Sequence, residues 1–359
     1  MRVLVAWSDD RSRNLGVRAL AHGSAALARR AFGDDCEVEF QNFGKGASPV
    51  PVGSLRSLTR EHLDRHQVRD WLATFDLVVD TRSGDSFADI YGTKRLATMS
   101  AFADLARRAK VPVVLGPQTI GPFGSRVGRA IARHSMRTAA LTMARDPASA
   151  AAAHDLGRDV DVLTTDVVFA LPAPPRTHTR DVLLNVSGLL WDGSPHVDGP
   201  AYQRTIDTLT TRLLAAGRHV TLLAHVLDSP LADNDVPAVH AVARAHPEVD
   251  VAIPTDLTDV RSIIASSELV IGSRMHACLN ALSIGVPALP LAYSRKFAPL
   301  LDSLGWSSTV DLRTSSDPAG EVLAHLDDPD LSDRAGTVQQ RAAELLRPAQ
   351  DALRAALRR

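Results

Sequence analysis

The stretch Ile271 to Leu282, IGSRMHACLNAL, holds side chains that can bind an anion and move a proton. An apolar strand ends there, Gly272 and Ser273 make a turn, and Arg274 to His276 begin a helix, with Ser273 as its expected N-cap. A helix start offers N–H groups and partial positive charge to an anion. Arg274 adds a planar fork that matches carboxylate or phosphate. His276 follows two residues later and can give or take a proton near neutral pH. Spacing alone also allows a plainer arrangement, in which Arg274 pairs with a structural carboxylate and His276 only caps or packs.

Other candidates also follow apolar runs. In Leu115 to Phe123, LGPQTIGPF, two Gly-Pro pairs make a rigid loop that can present Gln118, Thr119 and backbone amides to a ligand, or simply form a tight turn. In Thr81 to Gly92, TRSGDSFADIYG, Asp85 or Asp89 can act as a general base. Equally, Asp85 and Ser86 can form a local turn and Asp89 can cap the next helix. Arg145 and Asp146 can hold an anion or pair with each other. His225 can meet a substrate hydroxyl, and Lys296, one of few lysines, can add charge to an anion site. Both of these also have structural or solvated readings.

The elements that must position these residues alternate as short apolar strands and longer helices. Strands are predicted at Arg2 to Val5, Val38 to Gln41, Asp76 to Asp80, Val111 to Leu115 and Ala140 to Ala144. A second set falls at Val182 to Asn185, His219 to Leu223, Val249 to Ile253, Leu269 to Ile271 and Ala288 to Leu291. Continuous apolar strands separated by helices imply parallel sheets covered on both faces. The run LPAPPRTHTR breaks this alternation, since its prolines suit neither helix nor central strand. It divides the chain into a first Rossmann-like domain, 1–171, a linker, 172–180, a second Rossmann-like domain, 181–331, and a C-terminal helix, 332–359. That helix is expected to bury Leu345, Ala349, Leu353 and Leu357, to be kinked or split at Pro348, and to pack back on the first domain. Two such domains imply an α/β fold facing a cleft, with ligands beyond the carboxyl ends of the strands.

The 359 residues carry a formal net charge of -1, without the basic excess of a nucleic-acid binder. An anionic substrate must therefore be held by a few placed arginines. Cys36 and Cys278 form no metal-spacing motif and read as small buried hydrophobes. No segment reaches the roughly 18–20 apolar residues of a membrane span, and the N-terminal apolar run is too short for a signal peptide. A cytoplasmic location is expected. Oligomeric state is not readable.

Four motifs in order, GDSFADIYG (Gly84 to Gly92), GPQTIGPF (Gly116 to Phe123), ARD (Ala144 to Asp146) and SRMHACLNALSIGVPALPLAYSRKF (Ser273 to Phe297), resemble the polysaccharide pyruvyl transferase family. The resemblance implies a GT-B-like fold and transfer of a pyruvyl group from phosphoenolpyruvate onto a sugar or glycan, usually as a ketal, with no cofactor and no metal. It implies that Arg274 and His276 stand for the family's Arg–Leu–His element, with Met275 replacing leucine, and Arg145 for the arginine of Ala–Arg–Asp. His276 is then the general acid, Asp85 or Asp89 the base, and Arg274 and Arg145 bind the donor; Ser273, Gln118, Lys296 and His225 join them as candidate substrate binders from their positions after strands alone. Many members have a glycine-rich run where this chain has Thr81, Arg82 and Ser83. A nucleotide-sugar glycosyltransferase of the same architecture and a non-catalytic sugar-binding relative are the competing expectations.

Overall fold

The first apolar run forms strand β1, Arg2–Ala6, and its side chains alternate between two apolar layers. Leu4 and Ala6 pack with Val78, Val113 and Leu115 on one face. Val3 and Val5 pack with Leu77, Val79 and Val114 on the other. A strand buried on both faces needs helices on both. The computed structural model, which describes residues 1–357 apart from 45, 64–65, 196, 231–232 and 327, has this architecture twice.

The first sheet holds β1, then β2 (Glu37–Gln41), β3 (Leu77–Asp80), β4 (Val113–Leu115), β5 (Leu141–Ala144) and β6 (Val162–Leu163), in spatial order β2-β1-β3-β4-β5-β6. The second holds β7 (Arg180–Asn185), β8 (Val220–Leu223), β9 (Asp250–Ala252), β10 (Ser267–Gly272), β11 (Ala288–Ala292) and β12 (Val310–Asp311), in order β12-β11-β10-β7-β8-β9. Every neighbouring pair is parallel. The ten predicted strands are present within a few residues of their expected ends. The two unpredicted ones, β6 and β12, are two residues long and too short to show a pattern.

The chain divides into two compact units. Unit 1 is Met1–Ser12, Leu20–Leu171 and Ala343–Arg359; unit 2 is Arg13–Ala19 and Pro172–Ala342. Within unit 2, Arg176 donates to the carbonyls of Gly285 and Ser267, which fixes the proline-rich segment onto that unit.

The stretch between β2 and β3 forms two helices, Leu55–Leu63 and Gln67–Leu72. Two details of the last helix, Leu331–Ala356, differ from expectation. Of the kink or split expected at Pro348, the split does not occur. Next to the proline, the Thr164 hydroxyl donates to the Leu345 carbonyl at 2.7 Å. Its buried stripe is Leu346, Ala349, Leu353 and Ala356, with Leu357 exposed. A strict four-residue spacing drifts around a 3.6-residue helix, and the alternating three–four spacing stays on one face. Among the described residues no helix is long and apolar enough to cross a membrane.

Candidate functional site

β10 and β7 are neighbours, so Gly272 lies beside Asn185 at their carboxyl ends. The Asn185 side chain ties three strand ends together. Its Oδ1 accepts from the Arg274 backbone N–H at 2.9 Å, and its Nδ2 donates to the Leu223 carbonyl at the end of β8. The helix that follows, Met275–Ile284, has Arg274 as its N-cap residue, and no side chain caps it. The Ser273 expectation is thus corrected: its hydroxyl is 2.7 Å from the Tyr202 hydroxyl, which also accepts from the Ser187 N–H. A buried polar partner competed successfully with the cap.

The Arg274 guanidinium is held by carboxylates on two edges. Nε and Nη2 donate to Asp235 Oδ1 at 3.1 and 2.6 Å. Nη1 stands 2.5 Å from Asp233 Oδ1. Burial acts to lower the arginine's pKa, but the two carboxylates outweigh it and hold the pKa above its usual value. Asp235 is wholly buried. Its Oδ1 also accepts from Gly188 N–H, and its Oδ2 from the N–H groups of His225 and Val226. One carboxylate therefore unites the loops after β7, β8 and β10. Gly188 permits this, because a Cβ there would sit 1.8 Å from the Asn234 carbonyl oxygen.

His225 lies behind the site, wholly buried. Arg261 Nη1 donates to Asn280 Oδ1 at 2.7 Å, which fixes the amide orientation, since a guanidinium only donates. Asn280 Nδ2 then points to the His276 carbonyl at 2.8 Å and to His225 Nε2 at 3.3 Å. His225 Nε2 is thus an acceptor, and its proton resides on Nδ1. Burial first, then the nearby His276 and Arg274, push the His225 pKa down to about 3. Burial alone pulls Arg261 down to about 10, still charged at neutral pH. The His276 side chain is half-buried. Gly16 lies against it, with room only for hydrogen: a Cβ would meet His276 Nδ1 at 2.9 Å.

Of the predicted residues, unit 2 brings together Ser273, Arg274, His276 and His225. Lys296 lies on the loop after β11, the next strand in the sheet, and immediately precedes the helix Phe297–Ser303. In unit 1, Arg145 is wholly buried. Its Nη1 donates to Asp166 at 2.6 Å and its Nε to Thr119 at 3.0 Å. Gln118 is equally buried, and neither amide atom has a hydrogen-bond partner among the described residues. Asp89 Oδ1 accepts from Gly124 N–H, and its Oδ2 from both the N–H and hydroxyl of Ser125. Burial is the largest single influence and acts to raise its pKa, but these bonds together outweigh it and hold the pKa below its usual value. Asp85 accepts from the Tyr91 hydroxyl at 2.9 Å.

The Thr81–Gly84 loop explains how the chain replaces a glycine-rich run. Arg82, Ser83 and Gly84 have φ of 45, 52 and 81°, the left-handed region that glycine favours. Arg82 is locked there by its backbone N–H and Nε, both bound to Asp80. Ser83 is locked by its hydroxyl, bound to the Trp7 carbonyl.

Sequence reasoning missed Asn185, Asp233, Asp235, Arg261 and Asn280. Asp235 precedes Val-Pro and reads as a helix N-cap; it holds that position but makes no side-chain cap. The others carry no local signal: Asn185 and Asp233 meet Arg274, and Asn280 meets His225, across the fold, while Arg261 acts through Asn280.

A family model described as polysaccharide pyruvyl transferase matches residues 46–295. No curated protein matches the sequence. Among solved structures, HepE of Anabaena in complex with UDP and glucose is similar at 15% identity, over 99% of this chain and 98% of that one, with a TM-score of 0.59. A UDP-GlcNAc 2-epimerase from Methanocaldococcus jannaschii is similar at 11% identity, over 96% and 99%, with a TM-score of 0.57. These likenesses show a GT-B fold.

Proposed function

The chain belongs to the polysaccharide pyruvyl transferase family, and from that premise we propose that it moves a pyruvyl group from phosphoenolpyruvate onto two hydroxyls of a sugar or glycan. The observation that carries the reading is the seat of Arg274. Its backbone is tied to Asn185, its inner edge to Asp235, and it stands at the start of the helix that bears His276.

In the proposed reaction Arg274 and the helix start hold an anionic end of the donor. His276 gives a proton to the methylene carbon, and the adjacent carbon becomes cationic. A sugar hydroxyl adds there and gives up its proton to a base. The bond between the carbon and the phosphate oxygen then breaks with its electron pair, and inorganic phosphate leaves with the proton held by the base. A second hydroxyl adds to the same carbon and closes the ketal, and its proton restores His276. Of the two unit 1 carboxylates, Asp85 suits the base better. Asp89 is held ionised by three donors and anchors the Gly124–Ser125 turn.

Glycosyl transfer from a nucleotide sugar is the second reading, favoured by the UDP and glucose in the similarly folded HepE. Ligand-induced thermal stabilisation separates the two. A ligand at 100 times its Kd stabilises by about 2.7 kcal/mol. Phosphoenolpyruvate is expected to raise the Tm of the wild type but not of Arg274→Ala. A rise with UDP-glucose and none with phosphoenolpyruvate would favour glycosyl transfer. No rise with either would favour a non-catalytic relative.

A further inference from the structure

The two carboxylates on Arg274 are built differently. Asp235 is wholly buried and takes five donors, two from the guanidinium and three from backbone N–H groups. Releasing it would strand a charge and three N–H groups, so it is a fixture. Asp233 is 39% exposed at its side chain. Its Oδ1 lies 2.5 Å from Arg274 Nη1 but makes no hydrogen bond of proper angle among the described residues. Its Oδ2 has a 3.5 Å contact from Asn14 Nδ2. The contact is held by charge, with little directed bonding.

Charge matters here. Two carboxylates face one guanidinium, and the neighbouring His225 stays neutral well below pH 7. While Asp233 stays on the Nη1 edge, its charge opposes an incoming carboxylate or phosphate there. Only the Nη1 edge can be given up, because the Nε–Nη2 edge belongs to Asp235.

We propose that Asp233 is an internal competitor for the anion site of Arg274: a carboxylate that occupies the Nη1 edge and is displaced when the donor's anionic group binds. The proposal rests on the reading of Arg274 as the anion anchor. It makes Asp233 a specificity-determining residue. A ligand must carry enough negative charge to displace a carboxylate, so neutral sugars cannot take the edge.

Titration calorimetry of the full chain with inorganic phosphate tests this, since phosphate probes the anion site whatever the donor is. Asp233→Asn is expected to tighten phosphate about tenfold, and Asp233→Ala should act in the same direction. Asp228→Asn is the control. That carboxylate is on the same loop but accepts from Asn234 instead, and its removal is expected to change affinity by less than twofold. Arg274→Ala should lose phosphate binding in every background. Equal or weaker binding by the Asp233 variants would overturn the proposal. So would an equal gain from Asp228→Asn, which would show only a general field, or the absence of phosphate binding in every variant. The donor reading fails separately: phosphoenolpyruvate binding no better than phosphate in Asp233→Asn would remove it and leave the competitor in place.

Discussion

Arg145 in unit 1 and Arg274 in unit 2 both follow a central parallel strand, and both pair with a wholly buried aspartate at 2.6 Å. They differ at the other edge. Arg145 turns its Nε to the buried Thr119 hydroxyl, and Arg274 turns Nη1 to a half-exposed carboxylate. Equal residue types at the carboxyl ends of parallel strands therefore have unequal partners: the second edge of Arg145 faces a neutral hydroxyl, and that of Arg274 faces a second carboxylate.

The largest expected effect sharpens this contrast by placing the proton donor in unit 2. His276→Ala should lower kcat by about 10²–10⁴-fold, the usual share of a general acid. Its Tm should stay near the wild-type value, since the side chain is half-buried. An undiminished turnover rate would remove His276 as the acid.

Asp235→Asn and Asp166→Asn come next. Each removes the buried charge partner of a guanidinium and should destabilise by about 3–5 kcal/mol, less for Asp235→Asn to the extent that Asp233 stays paired with Arg274, read as a shifted urea midpoint. The contrast lies in the kinetics of the folded fraction. Asp235→Asn should raise the KM for phosphoenolpyruvate severalfold by loosening Arg274, and Asp166→Asn should leave it nearly unchanged. A matching KM rise in both would break the comparison and make Arg145 a second anchor.

A smaller effect separates the units by pH. The His225 pKa, about 3 in the fold, lies below its unfolded value of about 6.5. The unfolded chain therefore takes up a proton first as pH falls. Stability is fully present above about pH 6.5 and declines toward pH 3, by about 2 kcal/mol between pH 7 and pH 5. Urea unfolding of His225→Gln should lack that share of the acid sensitivity. An unchanged pH dependence would contradict a buried neutral His225. Smallest is Ser273→Ala, which removes one hydroxyl pair with Tyr202 and should cost about 1 kcal/mol, with little change in KM.

Much of the fold was legible because parallel strands buried on both faces write continuous apolar runs, as Leu77–Asp80 and Val182–Asn185 do. Two-residue β6 and β12 leave no such trace. The site was legible where one turn holds it, at Arg274 and His276. It was not where sheet order assembles it: Asn185, Asp235 and Asn280 reach Arg274 or His225 only because β10, β7 and β8 are neighbours. Ser273 shows the limit of local rules, since its capping preference yielded to a buried phenol.

The most direct measurement of the central claim is phosphate release from phosphoenolpyruvate by the full chain across a panel of sugar and glycan acceptors. The account expects acceptor-dependent release in the wild type, one phosphate for each pyruvyl ketal formed, and none above background in Arg274→Ala. Acceptor-dependent release that persists in Arg274→Ala, or release with no acceptor that yields pyruvyl ketal, would contradict it.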